Sequence, residues 1–374
     1  MVLAPGAPPG GFPLRDPDIR RVALVRLRVG LGDLLCSAPA LRELAAFRPD
    51  VEVTLITWPE MAGVVERLGN VAELLPFPGV DGIPERVPDP ATWPAAWEAF
   101  TAAAHAREFD LALQAYGNNP AANRVAASLG ARRVGGFAPA GWQPQRDPEL
   151  HLPYPDTEHE VRRHLLLLER LGMPLTAGSE RMELPVTAAE EQAHAARLAG
   201  LSLEPDRYAV LHPGASASTR MWPLEAYAEV AGRLARAGLT VVVTGSAGER
   251  PLVEALVAQA RTRVPAAVPV LDLCDRTDLA GLALLLRDAA VLVGNDTGTA
   301  HLAAAVGARA VTVFQPGDPR RWAHQGPRSR ALVPDVPCAP CPHLECPIDF
   351  RCSRSTTPDH VVAAVGDLLP LLSA

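Results

Sequence analysis

Ala290-Val-Leu-Val-Gly-Asn-Asp-Thr-Gly-Thr-Ala-His301 is the stretch on which the fold turns. Ala290 to Gly294 is a short apolar run of the kind a fully buried strand gives, and the residues from Thr299 to Val306 have helical spacing. A strand that feeds a helix through a tight turn is half of a parallel βαβ unit. Working outward, the same alternation recurs. Tyr208–His212 reads as a strand, Pro223–Ala237 as an amphipathic helix, Thr240–Thr244 as a strand, Glu249–Ala260 as a helix, Val270–Leu273 as a strand and Leu279–Asp288 as a helix. Ala310–Phe314 closes the series as a strand.

The N-terminal half repeats the pattern. Val22–Leu27, Val51–Thr57, Ala72–Phe77, Phe109–Ala115 and Arg133–Phe137 read as strands. Leu34–Phe47, Met61–Leu68, Pro120–Leu129 and Glu158–Leu171 read as helices. At 374 residues the chain exceeds the size at which one core stops growing. The polar, Pro-containing stretch from Gly178 to Pro185 is the natural linker. The expectation is an α/β protein of two Rossmann-like domains facing a central cleft. Residues 1–20 form a flexible tail, 21–180 an N-terminal domain, 181–345 a C-terminal domain, and 346–374 a Cys-containing tail with a terminal helix. In open α/β sheets ligands bind beyond the carboxyl ends of the strands, so the chemistry belongs in strand-to-helix loops.

Composition narrows the partners. The formal charge is −7, and no basic run is concentrated enough to neutralise a phosphate backbone, so nucleic acid is not expected as a partner. All 35 basic residues are arginine, because the chain has no lysine. Met1–Pro17 lacks the basic start and apolar centre of a signal peptide, and no apolar run approaches the roughly 20 residues that span a bilayer. The protein is expected in the cytoplasm, with peripheral contact at the inner membrane face left open.

Three loops carry candidate chemistry. After the first strand, Arg28-Val-Gly-Leu-Gly-Asp33 brings the backbone close to a ligand through Gly30 and Gly32 and ends in Asp33, a candidate general base. The plainer alternative makes Asp33 a first-turn helix acid. His212-Pro-Gly-Ala-Ser-Ala-Ser-Thr-Arg220 offers Gly214, the hydroxyls of Ser216, Ser218 and Thr219, and the fixed charge of Arg220 before a helix that opens at Trp222-Pro223. That combination suits a diphosphate. The turn Thr244-Gly-Ser-Ala-Gly-Glu249 puts Ser246 and Glu249 where a ribose could be gripped, or where a cap would sit. The opening stretch supplies Asp296, Thr297, Gly298, Thr299 and His301, a phosphate cradle by its small residues and exposed amides. A capping Asp296 and a core His301 are the structural alternatives.

Together these motifs resemble the heptosyltransferases, glycosyltransferase family 9, from Arg21 through nearly the whole chain. The resemblance rests on Gly-Leu-Gly-Asp33 with the following Pro-Ala-Leu, on Phe109-Asp-Leu-Ala-Leu-Gln114 and on Gly130-Ala-Arg-Arg-Val-Gly-Gly-Phe137. It continues in His212-Pro-Gly-Ala with Trp222-Pro223, Thr244-Gly, Asp296-Thr-Gly with His301, and Asp318-Pro-Arg-Arg-Trp322. It implies the GT-B fold and an inverting, metal-independent transfer of a heptose from an ADP-sugar donor to a glycan or lipid-linked acceptor of lipopolysaccharide type. Asp33 takes the role of base, and no cofactor is required. Where the family has a lysine before Trp-Pro, this chain has Arg220, which keeps the charge but changes its geometry. The terminal helix, by analogy, crosses back to the first domain. The competing classes are a catalytically silent nucleotide- or carbohydrate-binding protein on the same scaffold and an NAD-dependent oxidoreductase. The missing third glycine in the first turn disfavours the latter.

Four of six cysteines cluster as Cys338-x2-Cys341-x4-Cys346-x5-Cys352. The spacing is not a standard paired knuckle, so a structural clip or reduced thiols is the leading reading, with a structural metal the minority one. Cys36 and Cys274 read as small core residues.

Overall fold

Every apolar run expected to be a strand is one, and they assemble into two all-parallel six-stranded sheets. In the computed structural model, which describes residues 11–324 and 326–369, the chain divides into unit 1, Met1–Arg181, and unit 2, Met182–Ala374. Unit 1 holds β1 (Arg21–Val25), β2 (Glu52–Thr57), β3 (Glu73–Pro76), β4 (Leu111–Gln114), β5 (Arg133–Ala138) and β6 (His151–Pro153) in the order β3-β2-β1-β4-β5-β6. Unit 2 holds β7 (Tyr208–His212), β8 (Thr240–Val243), β9 (Val270–Asp272), β10 (Val291–Asn295), β11 (Ala310–Val313) and β12 (Ser329–Leu332) in the order β12-β11-β10-β7-β8-β9. Both are doubly wound. The strand order reverses between β1 and β4 in one sheet and between β7 and β10 in the other, which places a crevice at the carboxyl ends of those pairs.

The central strands are apolar throughout because helices cover both faces. β7 and β10 are buried along their whole length. Helix Leu224–Arg236 turns Tyr227, Val230, Ala231 and Leu234 onto this sheet, and unit 1 has its own core around Val25, Ile56, Trp58, Phe77 and Phe100. The edge strands β6 and β12 are only partly buried, and the sequence pattern did not reveal them.

Several expectations need correction. The N-terminal tail is anchored from Phe12 onward: Leu14 and Ile19 are fully buried, Leu14 N–H bonds to Leu171 O at 3.1 Å, and the Arg48 guanidinium donates to the carbonyls of Leu14, Asp16 and Ile19. Residues 1–10 of that tail lie outside the described residues. The expected helix Leu34–Phe47 is two, Leu31–Leu35 and Ala38–Phe47, because Pro39 is tolerated only in a first turn. Met61–Leu68 is one turn of α-helix, Ala62–Val65, between two 3-10 turns. The terminal helix runs Pro358–Leu368 and buries Val361, Ala364, Val365 and Leu368. It packs against helix Leu224–Arg236, β11 and β12 of its own unit, which is where that apolar stripe is satisfied. Residues 370–372, expected to continue it, lie outside the described residues.

Candidate active site

In unit 1 the loop after β1 is organised by a charge that the apolar run conceals. Arg26 is completely buried. Its guanidinium donates to Ser37 Oγ at 3.1 Å, to the carbonyls of Ala115 and Tyr116 at 3.2 and 3.3 Å, and to Glu160 Oε1 at 3.0 Å. It also reaches Asp33, at 3.0 Å to the carbonyl and 3.4 Å to Oδ1. One side chain therefore ties the loops after β1 and β4, the two that flank the switch point, to the candidate base. Glu160, 1% exposed, accepts a second arginine, Arg163, at 2.9 Å. Arg163 is itself held by Tyr154 Oη at 2.6 Å and Pro155 O at 2.9 Å. A buried carboxylate shared by two guanidiniums is stable only when all its partners are in place.

His164 fills the same pocket, with Nε2 3.4 Å from Ser37 Oγ. Burial, reinforced by the Arg26 charge, pushes its pKa down to about 4, so it is neutral near pH 7. The Asp33 side chain is 22% exposed, with Arg28 Nε 3.9 Å from Oδ1. A Cβ on Gly30 would stand 2.8 Å from Asp33 Oδ2, so a glycine there lets the carboxylate fold over its own loop. Arg26, Ser37, Glu160, Arg163 and His164 were all missed from the sequence. Their signal was an arginine inside a strand run, and Glu160, Arg163 and His164 at helical spacing among leucines.

In unit 2 Asn295, the last residue of β10 and fully buried, joins two loops. Its Oδ1 accepts the Trp222 N–H at 3.1 Å, and its Nδ2 donates to Pro213 O at 2.8 Å and Gly214 O at 3.3 Å. The loop after β7 is thus bound to the strand end that carries Asp296. Asp296 is 5% exposed, and its carboxylate occupies the space beside Gly317, where a Cβ would come within 2.4 Å of Oδ2. The loops after β7, β10 and β11 therefore abut at the switch point.

Helix Gly298–Ala305 opens there with Thr297 at its N-cap position but with no side-chain cap. In its first turn Ala300 N–H already donates to Thr297 O at 3.0 Å, which leaves the Gly298 and Thr299 amides as the donors that a helix start presents. Thr297 Oγ1 is buried without a hydrogen-bond partner among the described residues, as are both amide atoms of Gln315 in the loop after β11. Buried polar atoms of this kind are rare in finished interiors. Thr299 and His301 are buried; His301 Nδ1 lies 2.7 Å from His324 Nε2, and its ring stands edge-on to Trp322. Arg220 is partly exposed; its backbone N–H donates to Ala217 O at 3.0 Å, while its guanidinium makes no hydrogen bond or ion pair among the described residues.

The rest of the expected set divides. Ser216 is exposed. Thr219 is 3% exposed, and its hydroxyl donates to His343 O at 3.0 Å and Leu344 O at 3.3 Å, so it holds the cysteine-rich segment and is not free for a diphosphate. Ser218 reaches the same Leu344 carbonyl at 3.4 Å. Glu249 closes a capping box: Oε2 accepts from Ser246 N at 2.7 Å and Ser246 Oγ at 2.9 Å. The carboxylate also lies against Gly214, where a Cβ would fall 1.8 Å from Oε1. His212 donates or accepts at Thr244 Oγ1, 3.1 Å away. Burial lowers its pKa despite Glu249 nearby. Cys36 and Cys274 are buried core residues. Among the described residues no helix is long and apolar enough to cross a membrane.

Comparison with known proteins gives this arrangement a family. The family model described as glycosyltransferase family 9 (heptosyltransferase) matches residues 93–350, a span that begins after Asp33. Lipopolysaccharide heptosyltransferase 1 of Pseudomonas aeruginosa is 33% identical over 140 residues, 37% of this chain and 37% of that relative. Lipopolysaccharide heptosyltransferase 1 of Escherichia coli K12 is 25% identical over 308 residues, 80% of this chain and 89% of that relative. The family 9 glycosyl transferase of Veillonella parvula superposes with a TM-score of 0.77 at 17% identity, covering 96% of this chain and 99% of that one. The E. coli heptosyltransferase WaaC solved with ADP superposes with a TM-score of 0.64 at 21% identity, covering 93% and 99%. The two sheets thus have the GT-B architecture of solved heptosyltransferases, and the chain belongs to glycosyltransferase family 9, the heptosyltransferases.

Proposed function

We propose that this protein is an inverting, metal-independent glycosyltransferase that moves a heptose from ADP-heptose to a hydroxyl of a lipopolysaccharide-type acceptor. The observation that carries the reading is the uncapped start of helix Gly298–Ala305 beside a buried, unpartnered Thr297 hydroxyl. Amide donors, a spare hydroxyl and the uncommitted Arg220 are the groups a diphosphate needs. Asn295 supports this role by fixing the loop of Arg220 to the strand that leads into the helix. WaaC, on the same fold, was solved with ADP.

In this mechanism Asp33 accepts the proton of the acceptor hydroxyl as its oxygen attacks the anomeric carbon. The bond from that carbon to the donor phosphate breaks on the opposite face, and its electron pair leaves on ADP. Charge growing on the departing diphosphate meets Arg220 and the first amides of helix Gly298–Ala305, donors already fixed before the reaction. Protein donors thereby do the neutralising, so this step needs no metal. Glu249, held against Gly214, grips the ribose. Arg26 fixes Asp33 by its backbone and side chain. A lipid-linked acceptor places the reaction at the cytoplasmic membrane surface.

Thermal unfolding with ADP, UDP, GDP and NAD tests the donor. A ligand at about 100 times its Kd stabilises by about 2.7 kcal/mol, a shift of several degrees. ADP is expected to give that shift. Stabilisation by UDP or GDP alone overturns the donor assignment, and stabilisation by NAD alone restores the oxidoreductase reading.

A further inference from the structure

Asn295 and Gln315 are carboxamides at neighbouring strand ends, and their surroundings treat them differently. Asn295 is fully buried, and its amide is engaged by Trp222 N–H, Pro213 O and Gly214 O. Gln315 is 1% exposed, yet neither its Nε2 nor its Oε1 has a partner among the described residues. A buried carboxamide with both ends unpaired has lost its hydration without gaining a hydrogen bond, which a finished interior rarely tolerates. Costs of this kind collect where a ligand completes the bonding.

The strand register places Gln315 beside the candidate donor site. Asn295 pairs with Val313 at the ends of β10 and β11, so Thr297 and Gln315 each lie two residues beyond that pair. The two loops touch there, since a Cβ on Gly317 would come within 2.4 Å of Asp296 Oδ2. Pro316 biases Gln315 towards extended backbone, and Pro316 O accepts the Cys341 N–H at 2.8 Å, which anchors the loop that carries the amide.

β8, β7, β10 and β11 are consecutive in the sheet, about 4.8 Å apart from strand to strand. In the proposed donor site, Glu249 after β8 takes the ribose, and Arg220 after β7 and Thr297 after β10 take the diphosphate. The loop after β11 is next in that row, where the sugar on the outer phosphate falls. Hydrogen-bond chemistry separates sugar from diphosphate at this position. Ionised phosphate oxygens only accept, so they satisfy Nε2 but never Oε1, whereas sugar hydroxyls both donate and accept.

We propose that Gln315 is a specificity-determining residue whose carboxamide hydrogen-bonds hydroxyls of the sugar that the nucleotide donor carries. The inference rests on the donor reading given above and adds the group that separates a nucleotide sugar from the bare nucleotide.

Gln315→Met keeps the length of the side chain and removes both polar atoms. Calorimetry with ADP and with ADP-heptose, on wild type and variant, reads the two parts of the donor separately. The ADP Kd is expected to stay within about twofold, while ADP-heptose binds about tenfold or more weakly. The ligand-free variant should melt no lower than wild type, because unpaired polar atoms give way to apolar ones. Should methionine fail to pack, the same comparison of ADP with ADP-heptose on Gln315→Ala decides. Equal losses for the two ligands, or no loss for either, overturn the proposal. So does a variant that melts several degrees lower while binding both ligands as wild type does, which marks an amide bonded within the protein. Wild type that binds neither ligand refutes the donor reading itself, whereas wild type that binds ADP-heptose beside an unaffected variant refutes the role of Gln315 alone.

Discussion

Replacing Glu160 with glutamine removes one negative charge and almost no volume, so its effect isolates the electrostatics that hold the loop of Asp33. Glu160 is 1% exposed and lies 3.0 Å from Arg26 and 2.9 Å from Arg163, neither of which reaches solvent. Breaking a buried ion pair by neutralising one partner costs about 3–5 kcal/mol, because the remaining charge keeps its desolvation penalty. Here two guanidiniums are left, but each retains other acceptors: Ala115 O, Tyr116 O and Asp33 for Arg26, and Tyr154 Oη, Pro155 O and Asp156 O for Arg163. The loss therefore falls at the lower end, about 3 kcal/mol. With a urea dependence of about 2 kcal/mol per molar, the unfolding midpoint of unit 1 drops by about 1.5 M. Urea titration followed through the emission of buried Trp58 reads this directly. Because Arg26 also positions Asp33, kcat for heptose transfer should fall about tenfold or more in the fraction that remains folded, with KM for the donor nearly unchanged. A midpoint shift below about 0.3 M, or a variant with full kcat, would refute the view that Glu160 anchors this loop.

Three further outcomes follow from particular contacts. His164 is neutral in the folded protein with a pKa near 4 but titrates near 6.5 when unfolded. The unfolded state therefore takes up the extra proton as pH falls from about 6.5 towards 4, and stability is lost through that window. Between pH 7.5 and 5 wild type should lose about 2 kcal/mol more than His164→Gln in urea titrations, and equal losses would count against the buried neutral histidine. Asn295→Ala strands the Trp222 N–H and two carbonyls, so it should cost about 2–4 kcal/mol and weaken ADP binding about tenfold or more by calorimetry. Unchanged affinity would separate the β7 loop from the donor site. Gly214→Ala forces the Glu249 carboxylate off the loop; because that group is the far end of a side chain, stability should fall by only about 1 kcal/mol while ADP affinity falls about tenfold. A variant that binds ADP normally would remove Glu249 from the ribose site.

The architecture was legible because strands buried on both faces leave continuous apolar runs, and β7 and β10 are of that kind. Edge strands β6 and β12 escaped because half-exposed strands of three or four residues leave no such run. Helix Ala188–Gly200 had a usable signal, the capping box from Thr187 to Glu190, and it went unread. At the candidate site, Gly30 and Gly214 stand where a carboxylate lies against the backbone of its loop. The partners of those loops could not be read, since Arg26 meets Glu160 across 134 positions and Thr219 meets His343 across 124. A hydroxyl in a Gly-rich loop looks the same whether it faces a ligand or a distant carbonyl, and only tertiary packing separated Thr297 from Thr219.

The decisive measurement is the turnover of Asp33→Asn with ADP-heptose and a deacylated lipopolysaccharide-core acceptor, with ADP affinity determined on the same sample. Loss of a general base should lower kcat by about 10²- to 10⁴-fold and leave the ADP Kd within about twofold, since the proposed diphosphate site is built from residues of unit 2. Turnover within about tenfold of wild type, with the acceptor hydroxyl still consumed, would contradict the assignment of this carboxylate as the group that takes the proton.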